Sequence, residues 1–164
     1  MIRALVISLV TTLVLAGCAA QTPSLRAPGA QMASMASFDV NRFQGRWYEV
    51  AGYHDGACAI GALTVTVQKT GDVTLTEGPC RDATPRQRVA RLIGPGRLQT
   101  DDGAPLWVLW VDDGYRTAVI ATPSGEFAYV LNRTRDIPKD RMDAARRILD
   151  FNGYDPAGLR RSRS

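Results

Sequence analysis

The sequence predicts an all-β domain of eight antiparallel strands, either an up-and-down barrel or a sandwich, followed by one α-helix. Two observations lead to this prediction. Between residues 38 and 134, short alternating or apolar stretches are separated by turn residues such as glycine, proline and aspartate. After that region the apolar spacing changes to the helical period of about 3.6 residues. The chain has 164 residues, which fits one domain with an appendage.

The N-terminal region predicts a signal peptide over residues 1–17. Arg3 supplies a positive charge, and residues 4–16 are mostly apolar. At 1.5 Å per residue this run is too short to span a bilayer core of about 30 Å as a helix. We therefore expect the segment to be removed from the mature protein.

The cleavage region ends in Leu15-Ala16-Gly17-Cys18, which resembles the lipobox of bacterial lipoproteins. The resemblance implies that Cys18 is lipidated and anchors the chain to a membrane. Ala19 follows the cysteine, and a residue other than aspartate there implies sorting to the outer membrane, facing the periplasm. The alternative is an ordinary secretory signal whose cysteine falls at the cleavage point.

The segment from the lipidated Cys18 to residue 37 is expected to be a flexible tether. Residues 19–37 are rich in Ala, Ser, Pro, Gln and Met and show neither strand nor amphipathic patterning. The folded domain is therefore predicted to occupy residues 38–164.

The eight strands are each predicted from a short alternating or apolar stretch bounded by turn residues. Their expected ranges are 46–54, 61–69, 72–80, 86–94, 96–100, 106–112, 115–122 and 126–134. The second and third form a hairpin signal, because two alternating stretches flank Lys69-Thr70-Gly71. Short connections throughout favour strands that pair with their neighbours in sequence.

Two further cysteines, Cys58 and Cys80, are disulfide candidates because an exported chain enters an oxidising compartment. If the hairpin pairs residues 69 and 72 beside its turn, position 80 lies roughly opposite position 61, three residues from Cys58. Such a bridge would contribute about 3 kcal/mol in the chain-entropy model. Two free thiols or a redox pair are the alternatives.

The helix is predicted to begin near Asp136-Ile137-Pro138 and to stop at Gly153, where glycine suits a left-handed end. Its apolar side chains share one face: Met142, Ala145, Ile148 and Leu149. We expect that face to pack on the outside of the sheet and the charged face to meet solvent.

The stretch Phe43-Gln44-Gly45-Arg46-Trp47-Tyr48-Glu49-Val50-Ala51 resembles the G-x-W signature of the lipocalin family. Its extended W-Y-E-x-A form is similar to bacterial outer-membrane lipoprotein lipocalins and to the apolipoprotein D-like subgroup. Residues 106–109, 112–115 and 129–134 resemble further family motifs in the same order. The resemblance covers about residues 38–158. It implies an eight-stranded up-and-down barrel with the helix packed outside.

The barrel is expected to be closed at one end. Successive strands reverse direction, so Trp47, the turn from Asp112 to Tyr115, and Arg133 come to the same end. Arg133 can then lie over the face of Trp47, a contact of about 0.5–2 kcal/mol. With Gly45, these residues form the structural motif that we expect to seal the barrel.

The other end is predicted to be an open mouth carrying the 55–60 loop, the Cys80 region, and the turns at 94–96 and 123–125. An eight-stranded barrel leaves room for one small ligand, and alternation along the strands predicts most of the side chains that line it. The candidates are Ala51, Tyr53, Leu63, Val65, Val67, Val108, Trp110, Val119, Phe127 and Tyr129. The alternative is that these side chains fill the barrel completely.

The resemblance implies a membrane-tethered carrier of a hydrophobic or amphiphilic molecule, such as a fatty acid or lysophospholipid, for membrane maintenance or stress response. A periplasmic interaction or inhibitor module that acts through the barrel loops is the alternative. An enzyme is disfavoured, because Asp112 and Asp113 fall in a turn at the closed end. The single histidine, His54, is expected to be an exposed loop residue. We therefore expect no catalytic residue and no cofactor.

The charge distribution disfavours two classes of partner. Twenty basic and 16 acidic residues give a net charge of +4, and the arginines are spread along the chain. This pattern lacks the clustered basic footprint of a nucleic-acid binder. With one histidine in the chain, a histidine-rich metal site is excluded, and no metal is expected.

Overall fold

The computed structural model describes residues 24–54, 60–78 and 84–162. The predicted signal peptide and the three cysteines, Cys18, Cys58 and Cys80, lie outside these residues. Within the described ranges, no helix combines the length and apolar character that crossing a bilayer requires.

The described chain forms nine strands and two α-helices, with one turn of 3₁₀ helix over Pro156–Gly158. The elements are α1 Val40–Phe43, β1 Gly45–Gly52, β2 Ala62–Val67, β3 Val73–Glu77, β4 Arg86–Gly94, β5 Arg97–Thr100, β6 Pro105–Val111, β7 Thr117–Ala121, β8 Ala128–Asn132, α2 Lys139–Phe151 and β9 Arg160–Arg161. Strands β2 to β8 pair antiparallel in sequence order, and β1 pairs with both β8 and β2. The sheet therefore closes into a barrel.

The eight predicted barrel strands are confirmed, with ends that differ from the prediction by up to three residues. The prediction missed two short elements, α1 and β9. Helix α1 has four residues, too few for a periodic signal, and begins where the Asp39 side chain accepts the Asn41 and Arg42 amides. Strand β9 pairs with the last two residues of β1, beyond the point where β2 pairing ends.

Two apolar clusters lie on opposite faces of the barrel wall. The inner cluster takes side chains from all eight barrel strands and includes Trp47 at one end. The outer cluster lies between the wall and α2, which contributes Met142, Ala145 and Leu149. The predicted helix is thus confirmed on the outside of the barrel, with its apolar face inward. Gly153, at a φ of +84°, follows its last turn as predicted.

The connections alternate between the two ends of the barrel, here called the floor and the mouth. The floor holds α1 and the β6–β7 turn, and the mouth holds the β7–β8 turn. The prediction that residues 94–96 lie at the mouth is wrong. Strand β4 begins at the mouth, where Arg86 pairs with Glu77, and therefore ends at the floor. The β4–β5 turn lies at the floor for that reason.

Residues 24–37 are not a flexible tether, which corrects the prediction for this part of the N-terminal segment. The segment runs along the outside of the barrel from mouth to floor, held by main-chain hydrogen bonds and by the Arg26 side chain, which donates to the carbonyls of Asn152 and Pro123. The Leu25 amide donates to the Gly125 carbonyl at 2.8 Å, and the Met35 amide donates to the Val108 carbonyl at 2.9 Å. Alternating side chains are not needed for such bonds, so the sequence pattern carried no signal of them.

Candidate functional site

The floor of the barrel is sealed by the predicted contact between Trp47 and Arg133. The Arg133 guanidinium carbon lies 3.7 Å from the centre of the fully buried Trp47 ring. The same guanidinium donates to the carbonyls of Tyr115, Arg46 and Arg42 at 3.0–3.1 Å. One side chain therefore joins the ends of three chain segments over the indole.

The backbone conformation at the floor explains why the G-x-W motif begins with glycine. Gly45 has a φ of +95°, a region that side chains rarely adopt, and a Cβ there would lie 3.2 Å from an Arg133 nitrogen. The Trp47 indole N–H donates to the Phe43 carbonyl at 2.8 Å, which ties the motif to α1. The motif therefore helps to close the floor of the barrel.

The β6–β7 turn completes the floor. The Asp112 carboxylate accepts the backbone amides of Arg116 and Thr117, each at 2.6 Å, and the Arg116 guanidinium at 2.9 Å. The Tyr115 hydroxyl accepts the Asp39 amide at 2.8 Å and thereby fixes the start of α1. Burial opposes ionisation of Asp112, but these hydrogen bonds outweigh it and hold its pKa below the usual value.

The Asp112→Asn variant is expected to lose about 1–3 kcal/mol of unfolding free energy at pH 7, because an amide replaces a charged acceptor of several donors. Because folding lowers the pKa of Asp112, its ionised carboxylate stabilises the fold at pH values above the unfolded-state pKa of about 4. That stabilisation is lost as the pH falls through the folded-state pKa. Urea denaturation of both proteins at pH 7 and pH 3 measures this. The difference in unfolding free energy between the natural protein and Asp112→Asn should be smaller at pH 3 than at pH 7. An equal difference at both pH values would contradict a stabilising role of the ionised Asp112 carboxylate.

Above the floor, the upper lumen contains a cavity of about 130 Å³. Its wall combines apolar and aromatic side chains with three charged ones. The lining residues are Ile60, Leu63, Glu77, Arg86, Arg88, Leu106, Ile120, Phe127 and Tyr129. Phe127 and Tyr129 stack with their ring centres 4.9 Å apart.

Six of the ten predicted lining residues lie on the lumen side. Leu63, Phe127 and Tyr129 line the cavity itself. Three more belong to the inner cluster without lining the cavity: Val65, Val67 and Val108. Alternation placed these side chains correctly because their strands are regular around them.

The other four predicted lining residues are wrong, since Ala51, Tyr53, Trp110 and Val119 belong to the outer cluster beside α2. The pairing of β1 with β8 shifts register between residues 49 and 51, and that of β6 with β7 between 108 and 110. Each β-bulge inserts one residue and reverses the facing of those that follow. Val119 faces outward because its neighbours on β7, Ala118 and Ile120, face inward.

The prediction also missed the charged residues of the cavity. Alternation along β3 and β4 does place Glu77, Arg86 and Arg88 on the lumen side, in phase with Leu75 and Ala90. Charged side chains are rarely buried without a partner, so alternation alone does not assign them to a lumen. Only the folded barrel shows that Glu77 and Arg88 form an ion pair across neighbouring strands.

His54 is not an exposed loop residue, which corrects that prediction. Its side chain is 13% exposed, and its Nε2 lies 2.7 Å from the buried Glu49 carboxylate. Glu49 also accepts the Ile60 amide at 2.8 Å and the Ser162 hydroxyl at 2.7 Å. This cluster joins β1 to the C-terminal segment at the mouth.

Comparison with known proteins agrees with this geometry. The family model for the lipocalin-like domain matches residues 64–164. Temperature-induced lipocalin-1 of Arabidopsis thaliana is 24% identical over 80% of this chain and 82% of its own length. Apolipoprotein D of Macaca fascicularis is 26% identical over 73% of each chain.

The fold has a solved counterpart in the major allergen Per a 4 from cockroaches. The two structures superpose with a TM-score of 0.63 over 81% of this chain and 93% of the allergen, at 10% sequence identity. Lipocalins are generally binding and transport proteins rather than enzymes. The sealed floor, the closed barrel, the outer helix and the family match together show that this chain belongs to the lipocalin family.

Proposed function

We propose that this lipocalin binds and carries one small hydrophobic or amphiphilic molecule, such as a fatty acid or lysophospholipid, for membrane maintenance or stress response. The observation that supports this most is the cavity between a sealed floor and the mouth, with Leu63, Leu106 and Ile120 in its apolar lining. Apolar surface that leaves water there supplies about 25 cal/mol per Å² of binding free energy.

The size of the cavity limits how much of a ligand it encloses. At about 130 Å³ it is close to the ~150 Å³ apolar cavity that takes up benzene, and below the ~300 Å³ of typical ligand sites. The cavity thus encloses a short ligand or one segment of a longer chain. The remainder of a long amphiphile would extend through the mouth.

The proposal includes attachment through a lipidated Cys18 to the bacterial outer membrane, with the domain in the periplasm. Residues 24–37 are bound to the barrel wall, and Leu25 lies against the β7–β8 turn at the mouth. Residues 19–23 then span at most about 20 Å between lipid and barrel. Attachment at this point would hold the mouth close to the bilayer, where amphiphilic ligands reside.

Titration of the purified protein with a fluorescent fatty acid tests the carrier function. We expect saturable binding of one molecule per chain. The Leu106→Trp variant, which fills the cavity, should weaken binding at least tenfold. The control Val89→Trp adds the same side chain at an exposed position on β4 and should leave binding within twofold.

Two results would contradict the carrier function. One is equal binding by both tryptophan variants, which would place the ligand outside the lumen. The other is no binding of fatty acid or lysophospholipid by the unchanged protein, which would favour the interaction module acting through the barrel loops. Circular dichroism of each variant checks that the barrel has folded.

Cell fractionation tests the anchor separately. We expect the natural chain in the outer-membrane fraction and the Cys18→Ser variant in the soluble periplasmic fraction. Mass spectrometry of the mature N-terminus should find the acyl groups on Cys18. Membrane association that is unchanged in Cys18→Ser would contradict anchoring through this residue.

A further inference from the structure

A band of charged side chains crosses the upper lumen of the barrel. The inward positions of β3 and β4 are apolar near the floor, at Leu75 and Ala90, and charged near the mouth, at Glu77, Arg88 and Arg86. The change from apolar to charged occurs at the cavity. A bound molecule would therefore meet both apolar side chains and charged groups.

Arg88 carries an unsatisfied hydrogen-bond donor in this band. The residue is 7% exposed and lines the cavity. Its Nη2 donates to Glu77, and its Nη1 lies 3.9 Å from the Asp102 carboxylate. Its Nε has no partner, and it is the only buried side-chain nitrogen or oxygen in the described residues for which this is so. Buried donors are normally paired, so an isolated one beside a cavity indicates a missing acceptor.

The other polar groups of the cavity do not fill this role. Arg86 has only donors and cannot accept a hydrogen bond, and its Nη2 lies 2.5 Å from the Asp102 carboxylate. Burial, with smaller effects from Glu49 and Glu77, raises the pKa of the Tyr129 hydroxyl, so it remains a neutral group. None of these groups accepts from the Arg88 Nε in the described residues, which leaves this donor available to an acceptor on a bound ligand.

We propose that Arg88 is an anion-binding residue of the lumen, whose Nε donates to a carboxylate or phosphate oxygen of the ligand. This inference rests on the proposed carrier function and specifies its ligand as an acidic amphiphile. The apolar part of the molecule packs on the apolar lining of the cavity, which includes Leu63, Leu106 and Ile120. Glu77 neutralises Arg88 in the absence of ligand and competes with the incoming anion for it. An oxyanion forms a stronger hydrogen bond with a guanidinium than a neutral hydroxyl does.

Calorimetric titration with three probes of equal chain length tests the inference: octanoate, octyl phosphate and 1-octanol. We expect at least one of the two anions to bind at least tenfold more tightly than the alcohol, and the tighter one identifies the acid class. Arg88→Met should weaken binding of that anion at least tenfold and lower the ratio of anion affinity to octanol affinity by a similar factor. Octanol affinity equal to that of both anions would overturn the inference, as would unchanged anion binding by Arg88→Met.

A second variant is needed because Arg88→Met leaves the Glu77 carboxylate without its partner. Glu77→Gln keeps the shape of the side chain and removes the competing charge. It should raise the ratio of anion affinity to octanol affinity about threefold or more, which a purely structural role of the ion pair would not produce. A ratio that is lowered or unaltered by Glu77→Gln would overturn the assignment.

The outcomes separate this inference from the carrier function on which it rests. Octanol and fluorescent fatty acid bound in the lumen, with no preference for anions, would remove the role of Arg88 and leave the carrier intact. If neither the octyl probes nor the fluorescent fatty acid bind, both proposals fail.

Discussion

Replacing Trp47 by alanine is expected to lower the free energy of unfolding by about 3–5 kcal/mol, the usual cost of deleting a fully buried large aromatic side chain. The loss has two causes at this position. A cavity opens beside Phe43, whose ring centre lies 4.7 Å from that of Trp47. The Arg133 guanidinium also loses the aromatic face on which it lies. Because single domains have about 5–15 kcal/mol of stability in total, the variant should be close to unfolding.

Urea denaturation followed by far-ultraviolet circular dichroism measures the Trp47 effect without relying on tryptophan fluorescence. Trp107→Ala is the matched control. Trp107 lies on the outer face of β6 with Arg97 over its ring, and it is partly exposed. Its removal should cost about 1 kcal/mol. A Trp47→Ala loss no larger than the Trp107→Ala loss would show that the floor does not depend on the indole.

Replacing Arg26 by alanine is expected to release the N-terminal segment from the barrel and to cost about 2–3 kcal/mol. The Arg26 guanidinium donates to the carbonyls of Asn152, Pro123 and Ala30 at 2.7–2.9 Å. Hydrogen bonds from a charged group are worth about 1.5–3 kcal/mol each, but they are not additive when one side chain makes all three. Residues 24–34 should then lose their attachment near α2 while the barrel strands remain folded.

Hydrogen exchange gives the decisive measurement for Arg26. Amides such as those of Leu25 and Ala27, which donate to Gly125 and Gly153, should exchange faster in the variant, with the protection of β6 to β8 unchanged. The control is Arg91→Ala, an exposed arginine 3.8 Å from Asp72, which should change stability by less than about 0.5 kcal/mol. Uniform loss of protection through the barrel would contradict a local attachment.

The strand pattern, the connection order and the floor could be predicted from the sequence. Alternation and turn residues mark eight strands, because a strand that lines a core must place apolar side chains at every second position. The reversal of direction at each short connection then brings Trp47 and Arg133 together, as the structure shows. The prediction placed the turn at 94–96 at the mouth, whereas the reversal of direction at each short connection places it at the floor, where the structure has it.

The lining of the lumen could be predicted only in part. Counting alternate residues fails after a β-bulge, and the bulges after Glu49 and Val108 turned Ala51, Tyr53 and Trp110 outward. A bulge depends on how two strands pair, so one strand read by itself does not reveal it. The attachment of residues 24–37 escaped prediction because it depends on main-chain hydrogen bonds and on a few single side chains such as Arg26, which leave no periodic pattern in the sequence.

Local periodicity predicted eight antiparallel strands and an outer helix, and it was the resemblance to the lipocalin motifs that favoured a closed barrel over a sandwich. Once the barrel is assumed, the direction of successive strands places the sealed floor. Which groups line the cavity and are available to a ligand depends on the folded barrel. Glu77 and Arg88 are eleven residues apart in the chain. The pairing of β3 with β4 brings them together, and closure of the barrel buries them and leaves one guanidinium N–H of Arg88 without an acceptor beside the cavity. Burial creates that unsatisfied donor, and burial is a property of the whole fold.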